Sequence, residues 1–188
     1  MEPEQRWQLR TGAGCELIIG PYPSFRYDAT GGGGLSRPQI RGQENLQPLV
    51  FAAEGLVIPP LDASRGRFLG LPLPPGVSIQ IQPDELAGEL NISSGELRLH
   101  FRSRFRFTVG SPKRPLYQAS DLLVDTQLTS GSLQSKRHSR SGRPLASDGS
   151  ATLVGVATIE PCQDPWLNQF LGLPDEALAL MHLTLERV

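Results

Sequence analysis

The residues that most often carry enzyme chemistry are few and scattered in this sequence. Its histidines share no metal-ligand spacing, and its two cysteines lie 147 positions apart. No GxSxG nucleophile elbow, Cys-His signature or HExxH helix occurs, and glycines 31–34 lack the Gly-Lys-Ser/Thr ending of a phosphate loop. The sequence therefore predicts no catalytic residue, no metal site and no cofactor. The residues considered are His100, His138, His182, Cys15 and Cys162.

Basic side chains form the most distinctive pattern. Residues 98–143 carry a net charge of +8, whereas residues 1–97 carry −4 and residues 144–188 carry −5. Four arginines over 98–106 would share one face of a β-sheet, with neighbours about 7 Å apart. A second basic cluster falls in the Ser/Gly-rich stretch 129–150. The predicted anion-binding residues are Arg98, Arg102, Arg104, Arg106, Lys136, Arg137, Arg140 and Arg143.

Like charges at this spacing repel each other and need counter-charges. Glu85 and Glu89 would supply them within the protein, whereas an external anion would supply them from a partner. An acidic protein surface or anionic lipid head groups fit better than nucleic acid. The aromatic residues that would stack on bases, Phe101, Phe105 and Phe107, fall on the opposite, buried parity.

The arginines lie on the strand that the sequence predicts most clearly. From Glu96 to Val109, apolar and polar residues alternate and only Ser103 interrupts the apolar set, which indicates a long, half-buried antiparallel strand. We predict a mainly β fold, a single-domain antiparallel barrel or sandwich of about seven or eight strands that covers residues 1–188. The other predicted strands are 16–20, 47–58, 77–82, 85–93, 121–129, 152–160 and 181–188.

A tight hairpin is expected to join strand 85–93 to the arginine strand. A two-residue turn at Ser94-Gly95 would set apolar residues opposite apolar residues along the whole pair. The predicted pairs include Glu85 with Arg104, Glu89 with His100 and Gly88 with Phe101.

One short helix and two loops complete the prediction. Asp164 fits an N-cap, Pro165 the first helical position and Gly172 the position after the last turn. Flexible loops are expected at 30–45 and 129–150, because both stretches are long and rich in Gly or Ser. The apolar side of the helix would comprise Trp166, Leu167, Phe170 and Leu171 and would plug one end of a barrel.

Three functional hypotheses follow. The first is a non-catalytic binding or assembly module that presents the basic sheet face and basic loop to an acidic partner. The second is a β-barrel that carries an apolar ligand, such as a lipid or pigment, with the helix as a lid. A container needs space between its inward residues, whereas a filled core would bury the apolar set 97, 99, 101, 105 and 107 without a void. The third is an enzyme whose site is assembled from distant residues.

The C-terminal part carries one resemblance. The segments Leu153–Ala157, Asp164–Leu167 and Phe170–Leu178 resemble uncharacterised proteins of cyanobacteria and plastids, which implies a stromal-side role near photosynthetic complexes. Otherwise the expected location is the cytoplasm. No apolar run approaches the roughly 20 residues that span a bilayer, and the N-terminus lacks a secretory signal. Both cysteines are expected to be buried and reduced.

Overall fold

The computed structural model describes residues 4–111 and 113–188, which form a mainly β structure with one short helix. The mainly β prediction is confirmed. The count of seven or eight strands is too low, since several strands have only two or three residues and show no readable alternation. The elements are β1 (Trp7–Thr11), β2 (Cys15–Ile19), β3 (Phe25–Tyr27), β4 (Gly33–Leu35), β5 (Leu46–Phe51), β6 (Gly66–Phe68), β7 (Leu71–Pro72), β8 (Val77–Asn91), β9 (Leu97–Ser111), β10 (Arg114–Gln118), β11 (Leu122–Thr129), β12 (Ser132–Gln134), β13 (Ser139–Ser141), β14 (Ser150–Ile159), α1 (Pro165–Leu171) and β15 (Asp175–Arg187).

Thirteen of these strands belong to one antiparallel sheet. Its main path runs β5-β8-β9-β11-β14-β15-β2-β3-β6-β7, while β1 pairs with β15 and β4, and β10 pairs with β9. Within the described residues the path ends at β5 and β7, so continuous strand pairing does not close the sheet into a barrel. Two isolated bridges, Ser36 with Phe51 and Leu61 with Ile79, make additional links to β5 and β8.

A β-bulge near Pro83 lets β8 run as one strand over Val77–Asn91. Two separate strands were predicted here, because proline cannot donate to a ladder. The structure instead places Pro83 where the register shifts, which is where a sheet tolerates proline. The extra residue, Asp84, changes the parity of the inward side chains. Ile81 faces inward before the bulge and Leu86 faces inward after it.

The backbone N–H of Asn91 donates a hydrogen bond to the carbonyl of Glu96, so the turn between these two residues contains four residues, 92–95, not two. The Asn91 side chain accepts hydrogen bonds from the backbone N–H groups of Ser93 at 3.0 Å and Ser94 at 3.1 Å. Gly95 has a φ of 75°, a conformation that glycine adopts readily. The predicted register is therefore wrong by two residues. The observed pairs include Glu85 with Arg102, Glu89 with Arg98 and Gly88 with Leu99.

The segments predicted as loops contain regular structure. Within 129–150, β12 and β13 form a small two-stranded sheet that contacts β14. Arg143 also makes a bridge to Thr152 on β14. Within 30–45, the chain forms β4 and a 3₁₀ turn at Gln43–Asn45. These short strands were not predicted, because their serine, glycine and arginine residues show no periodic apolar pattern.

Helix α1 has the predicted ends. Asp164 accepts a hydrogen bond from the backbone N–H of Leu167, and Gly172 closes the helix in the left-handed conformation. Its apolar side is not buried as predicted, because Trp166 is 55% exposed and Phe170 is 46% exposed. The buried side chains are Leu167 and Leu171. In the part of the chain that the structure describes, no helix has the length and apolar character needed to cross a membrane.

The buried apolar residues form three clusters along the inner face of the sheet. A middle cluster includes Tyr27, Leu61 and Ile79, and a third cluster joins Leu167 and Leu171 of α1 to the sheet. The largest cluster, called the filled end below, comprises Trp7, Leu9, Leu49, Phe51, Leu86, Leu90, Leu97, Leu99, Leu128, Ala151, Leu153, Leu183 and Leu185.

Candidate functional site

An apolar cavity of about 170 Å³ lies inside the sheet and contacts all three clusters. Leu99 lines it from the filled end, Phe105 from the middle and Leu171 from α1. A dry cavity of about 150 Å³ lined by Leu, Ile and Phe is large enough to hold benzene. The cavity therefore has room for a ring or a short stretch of hydrocarbon.

Strand β9 shows how the interior changes along its length. Leu97 is fully buried and Leu99 is 1% exposed, but Phe101 and Phe105, which share their inward parity, are only half-buried. Val124 on the neighbouring strand β11 also lines the cavity and is half-buried. These inward side chains thus leave apolar surface uncovered inside the sheet.

Small residues on β14 and β15 explain the space. Gly155 pairs with Ala179 and Ala157 pairs with Ala177, and all four line the cavity. An inward alanine leaves most of the volume of a larger apolar side chain unfilled, whereas the space beside the Cα of Gly155 is taken by Leu128 and Thr126. The sequence carried this signal in the spacing of these four positions. It was missed because only the register of β14 against β15 brings them together.

The polar side chains that line the cavity have their hydrogen bonds satisfied by the protein itself. Thr11 Oγ1 donates to a backbone carbonyl at 2.6 Å, Thr126 Oγ1 donates to another at 2.8 Å, and the Tyr27 hydroxyl donates to a third. Burial raises the pKa of Tyr27, so this hydroxyl stays neutral. The acceptors are the carbonyls of Ala29, Val156 and Pro59. A ligand would therefore meet a wall without free donors at these positions.

Ser103 is the one polar residue in the apolar set of β9. It is 2% exposed, and its Oγ has no hydrogen-bond partner among the described residues. Its chain neighbours two residues away on either side, Phe101 and Phe105, both line the cavity. A buried hydroxyl without a partner is costly, so this position weakens the sheet beside the cavity.

The cavity wall reaches the surface near residue 57. Val57 lines the cavity and is also 58% exposed. It is held by two backbone hydrogen bonds to Gly33, of 2.8 and 2.9 Å. The side chain of Val57 therefore contacts both the cavity and solvent.

Six of the eight predicted anion-binding residues form ion pairs with carboxylates of the same chain. Their side chains are 38–57% exposed, so the pairs lie in contact with water. Among the described residues, Lys136 and Arg143 form no ion pair. The six pairs are Arg98–Glu96 at 2.6 Å, Arg102–Glu85 at 3.4 Å, Arg104–Asp84 at 2.8 Å, Arg106–Asp121 at 2.8 Å, Arg137–Asp175 at 2.8 Å and Arg140–Glu16 at 3.1 Å.

Two of the aspartates that neutralise the arginine face were not foreseen. Asp84 accepts hydrogen bonds from two nitrogens of Arg104, and Asp121 accepts hydrogen bonds from two nitrogens of Arg106. The hydrogen bonds from Arg106 hold the pKa of Asp121 below its usual range. Asp84 was missed because the predicted strand 77–82 ended before Pro83, whereas the observed strand continues through the bulge. Of the two glutamates expected to supply counter-charge, Glu85 does so.

His100 lies on the same outer face, between two carboxylates. Its Nε2 is 2.6 Å from Asp125, and its Nδ1 is 3.1 Å from Glu85. The hydrogen bonds to Asp125 and then to Glu85 raise the pKa of His100. Both ring nitrogens thus contact carboxylate oxygens, an arrangement that favours the protonated imidazolium.

The two cysteines add no chemistry to this picture. Cys15 is buried as predicted, whereas Cys162 is only half-buried, and both are free thiols. Burial raises the pKa of the Cys15 thiol, which keeps it protonated and unreactive.

No protein family, curated protein or solved structure matches this chain.

Proposed function

We propose that this protein is a non-catalytic carrier that holds an apolar molecule inside a barrel-shaped sheet. The observation that carries the proposal is the apolar cavity of about 170 Å³, bordered by inward side chains that remain half-buried. An interior packed only for stability would bury these residues, as it does at the filled end.

Backbone hydrogen bonds at two places outside the main strand path support a barrel as the shape of this container. On one side, β15 pairs with β1, and β1 pairs with β4. Just after β4, the backbone N–H of Arg37 donates a hydrogen bond of 2.7 Å to the carbonyl of Val50 on β5. On the other side, Leu61 and Ile79 exchange backbone hydrogen bonds of 2.8 and 2.9 Å. Links made of so few hydrogen bonds would hold the neighbouring segments together and still allow them to separate.

The lining defines the class of ligand. Hydrocarbon fits, because the wall consists almost entirely of Leu, Ile, Val, Phe and Ala, and its threonine and tyrosine hydroxyls already donate to the backbone. A charged or strongly polar group would lose its hydration without compensation. We therefore expect an acyl chain, an isoprenoid segment or an uncharged ring. A lipid or a pigment would present such a group.

Benzene, a ring that a cavity of this volume can hold, tests this proposal when its binding is measured by isothermal titration calorimetry. We expect saturable, equimolar binding to the wild type, and binding at least about tenfold weaker in Ala179→Leu, because the new side chain occupies the cavity. Ala146→Leu makes the same change at an exposed position and is expected to bind as the wild type does. Absence of saturable binding to the wild type would reject the carrier. Equal affinity in Ala179→Leu would place the ligand elsewhere and reject this cavity.

A second candidate is the docking of an acidic protein surface, or of anionic lipid head groups, on the arginine face and the basic hairpin β12–β13. The exposure of the ion pairs favours it, since each exposed pair contributes only about 0–1 kcal/mol and can exchange partners at little cost. A salt-sensitive partner that co-purifies with the wild type, and is lost when Arg102, Arg104 and Arg106 are replaced by glutamate, would support it. Retention of that partner by the variant would reject it.

A further inference from the structure

Several large, exposed apolar side chains lie at the end of the molecule that α1 covers. Leu116 on β10 is 88% exposed, Trp166 is 55% exposed and Phe170 is 46% exposed. Tyr117 and Tyr22 lie beside them. We call these five residues, Tyr22, Leu116, Tyr117, Trp166 and Phe170, the aromatic end. The turn between β6 and β7 adds two exposed leucines at the same end of the sheet, Leu69 at 71% and Leu71 at 68%.

Ring contacts hold the aromatic end together. Trp166 and Phe170 stack with centroids 5.1 Å apart and planes 9° apart, and Tyr117 meets Trp166 edge-on at 5.4 Å. Tyr22 lies 5.8 Å from Phe170. Because the two stacked rings contact each other directly, no planar ligand fits between them. The exposed parts of both rings face solvent.

Two cations lie next to this apolar surface. Lys113 and Arg114 precede Leu116 on the β9–β10 hairpin, and both are exposed. Neither forms an ion pair with any residue of 4–111 or 113–188. Exposed Trp, Phe and Leu side chains beside Lys and Arg are the combination that binds the interface of an anionic bilayer. The rings and leucines enter the boundary between head groups and chains, and the cations contact lipid phosphates.

We propose that the aromatic end docks on the surface of an anionic lipid bilayer. This inference rests on surface residues and not on the contents of the cavity. If the carrier function is correct, docking would bring the cavity to a membrane, since α1 presents Phe170 to the outside and Leu171 to the cavity. A protein partner fits less well, because Leu116 is 88% exposed and projects almost fully from the surface.

Vesicle binding tests the proposal directly. The chain has two tryptophans, and Trp7→Phe leaves Trp166 as the single reporter. With vesicles of phosphatidylcholine and phosphatidylglycerol, we expect a saturable blue shift of Trp166 emission and co-flotation of the wild-type protein. Leu116→Ser combined with Phe170→Ser should reduce vesicle binding at least about tenfold. Lys113→Glu combined with Arg114→Glu should reduce it by a similar factor and remove its salt dependence.

Matched controls separate docking from general stickiness. Ile40→Ser removes an apolar side chain of 58% exposure, and Arg37→Glu reverses an exposed cation; both lie outside the aromatic end. Both should bind vesicles as the wild type does. No flotation of the wild type, equal loss in the controls, or a salt-independent self-association abolished by Leu116→Ser and Phe170→Ser would overturn the proposal. Ala179→Leu should float normally, so docking and ligand binding can fail separately.

Discussion

The two halves of the sheet interior are built from the same strands and yet pack differently. At the filled end, Leu49, Leu90 and Leu97 are buried and are not among the residues that line the cavity. On β14 and β15, the paired residues Ala157 and Ala177 do line it. This difference indicates that small inward residues leave the interior hollow there, although both regions belong to the same sheet.

The hollow half has an energetic consequence. An empty cavity costs about 24 cal/mol per Å³ of volume, so 170 Å³ corresponds to about 4 kcal/mol. That is a large part of the 5–15 kcal/mol that typically separates folded from unfolded proteins. An apolar occupant would restore the missing contacts, so the hollow half is stable when filled and weak when empty.

Truncation of a side chain in each half should give the largest difference. Leu97→Ala is expected to lower the free energy of unfolding by about 2–5 kcal/mol, because Leu97 is fully buried in the filled end. Val124→Ala removes atoms that already face space and should cost less than about 1 kcal/mol. Urea unfolding of both variants provides the measurement. Similar losses at the two positions would mean that the interior is equally packed.

Replacement of an alanine by leucine should change the stability of the protein in opposite directions in the two halves. Ala151→Leu inserts a large side chain into the filled end, and overpacking there should cost about 1–3 kcal/mol. Ala179→Leu fills existing space and should stabilise the ligand-free protein by about 1 kcal/mol. The melting temperatures of the two variants should therefore move in opposite directions. A fall in both would contradict the assignment of the space beside Ala179.

The outer face should give the smallest effect. His100 has a folded-state pKa raised above its usual value of about 6.5. Its pairing with Asp125 and Glu85 therefore stabilises the fold fully below about pH 6.5, and this contribution is lost as the pH rises through the folded-state pKa. Because the pairs are partly exposed, we expect less than about 1 kcal/mol.

The variant His100→Gln isolates this contribution. The difference in free energy of unfolding between the wild type and His100→Gln should be larger at pH 5.5 than at pH 8.5. A histidine resonance that titrates above about 6.5 in NMR spectra of the wild type, and is absent from the variant, would assign the group. A larger difference at the higher pH would contradict the described pairing.

The sequence predicted the parts of this fold that follow one period over many residues. Strand β9 was clear because its inward and outward residues alternate over fourteen positions, and α1 was clear because Asp164, Pro165 and Gly172 mark its ends. The bulge at Asp84 was not predictable from a pattern, since one extra residue changes the parity without changing the composition. The register error at Glu85 follows from the four-residue turn.

The candidate site was less accessible to sequence analysis than the fold. The arginine stripe was visible, but its neutralisation depends on aspartates that the bulge and the loop before β11 bring to it. The cavity depends on small residues that are far apart in the chain, on β14 and β15. A void is a property of several strands at once, and no single stretch of sequence reports it.

The most direct test of the carrier is to identify what the protein contains. Wild type and Ala179→Leu would be purified from their own cells without detergent, extracted with organic solvent and analysed by mass spectrometry. We predict an apolar molecule that is equimolar with the wild type and absent from the variant. If neither protein carries an apolar molecule, or if both carry the same amount, the cavity is not a ligand site and the central claim is contradicted.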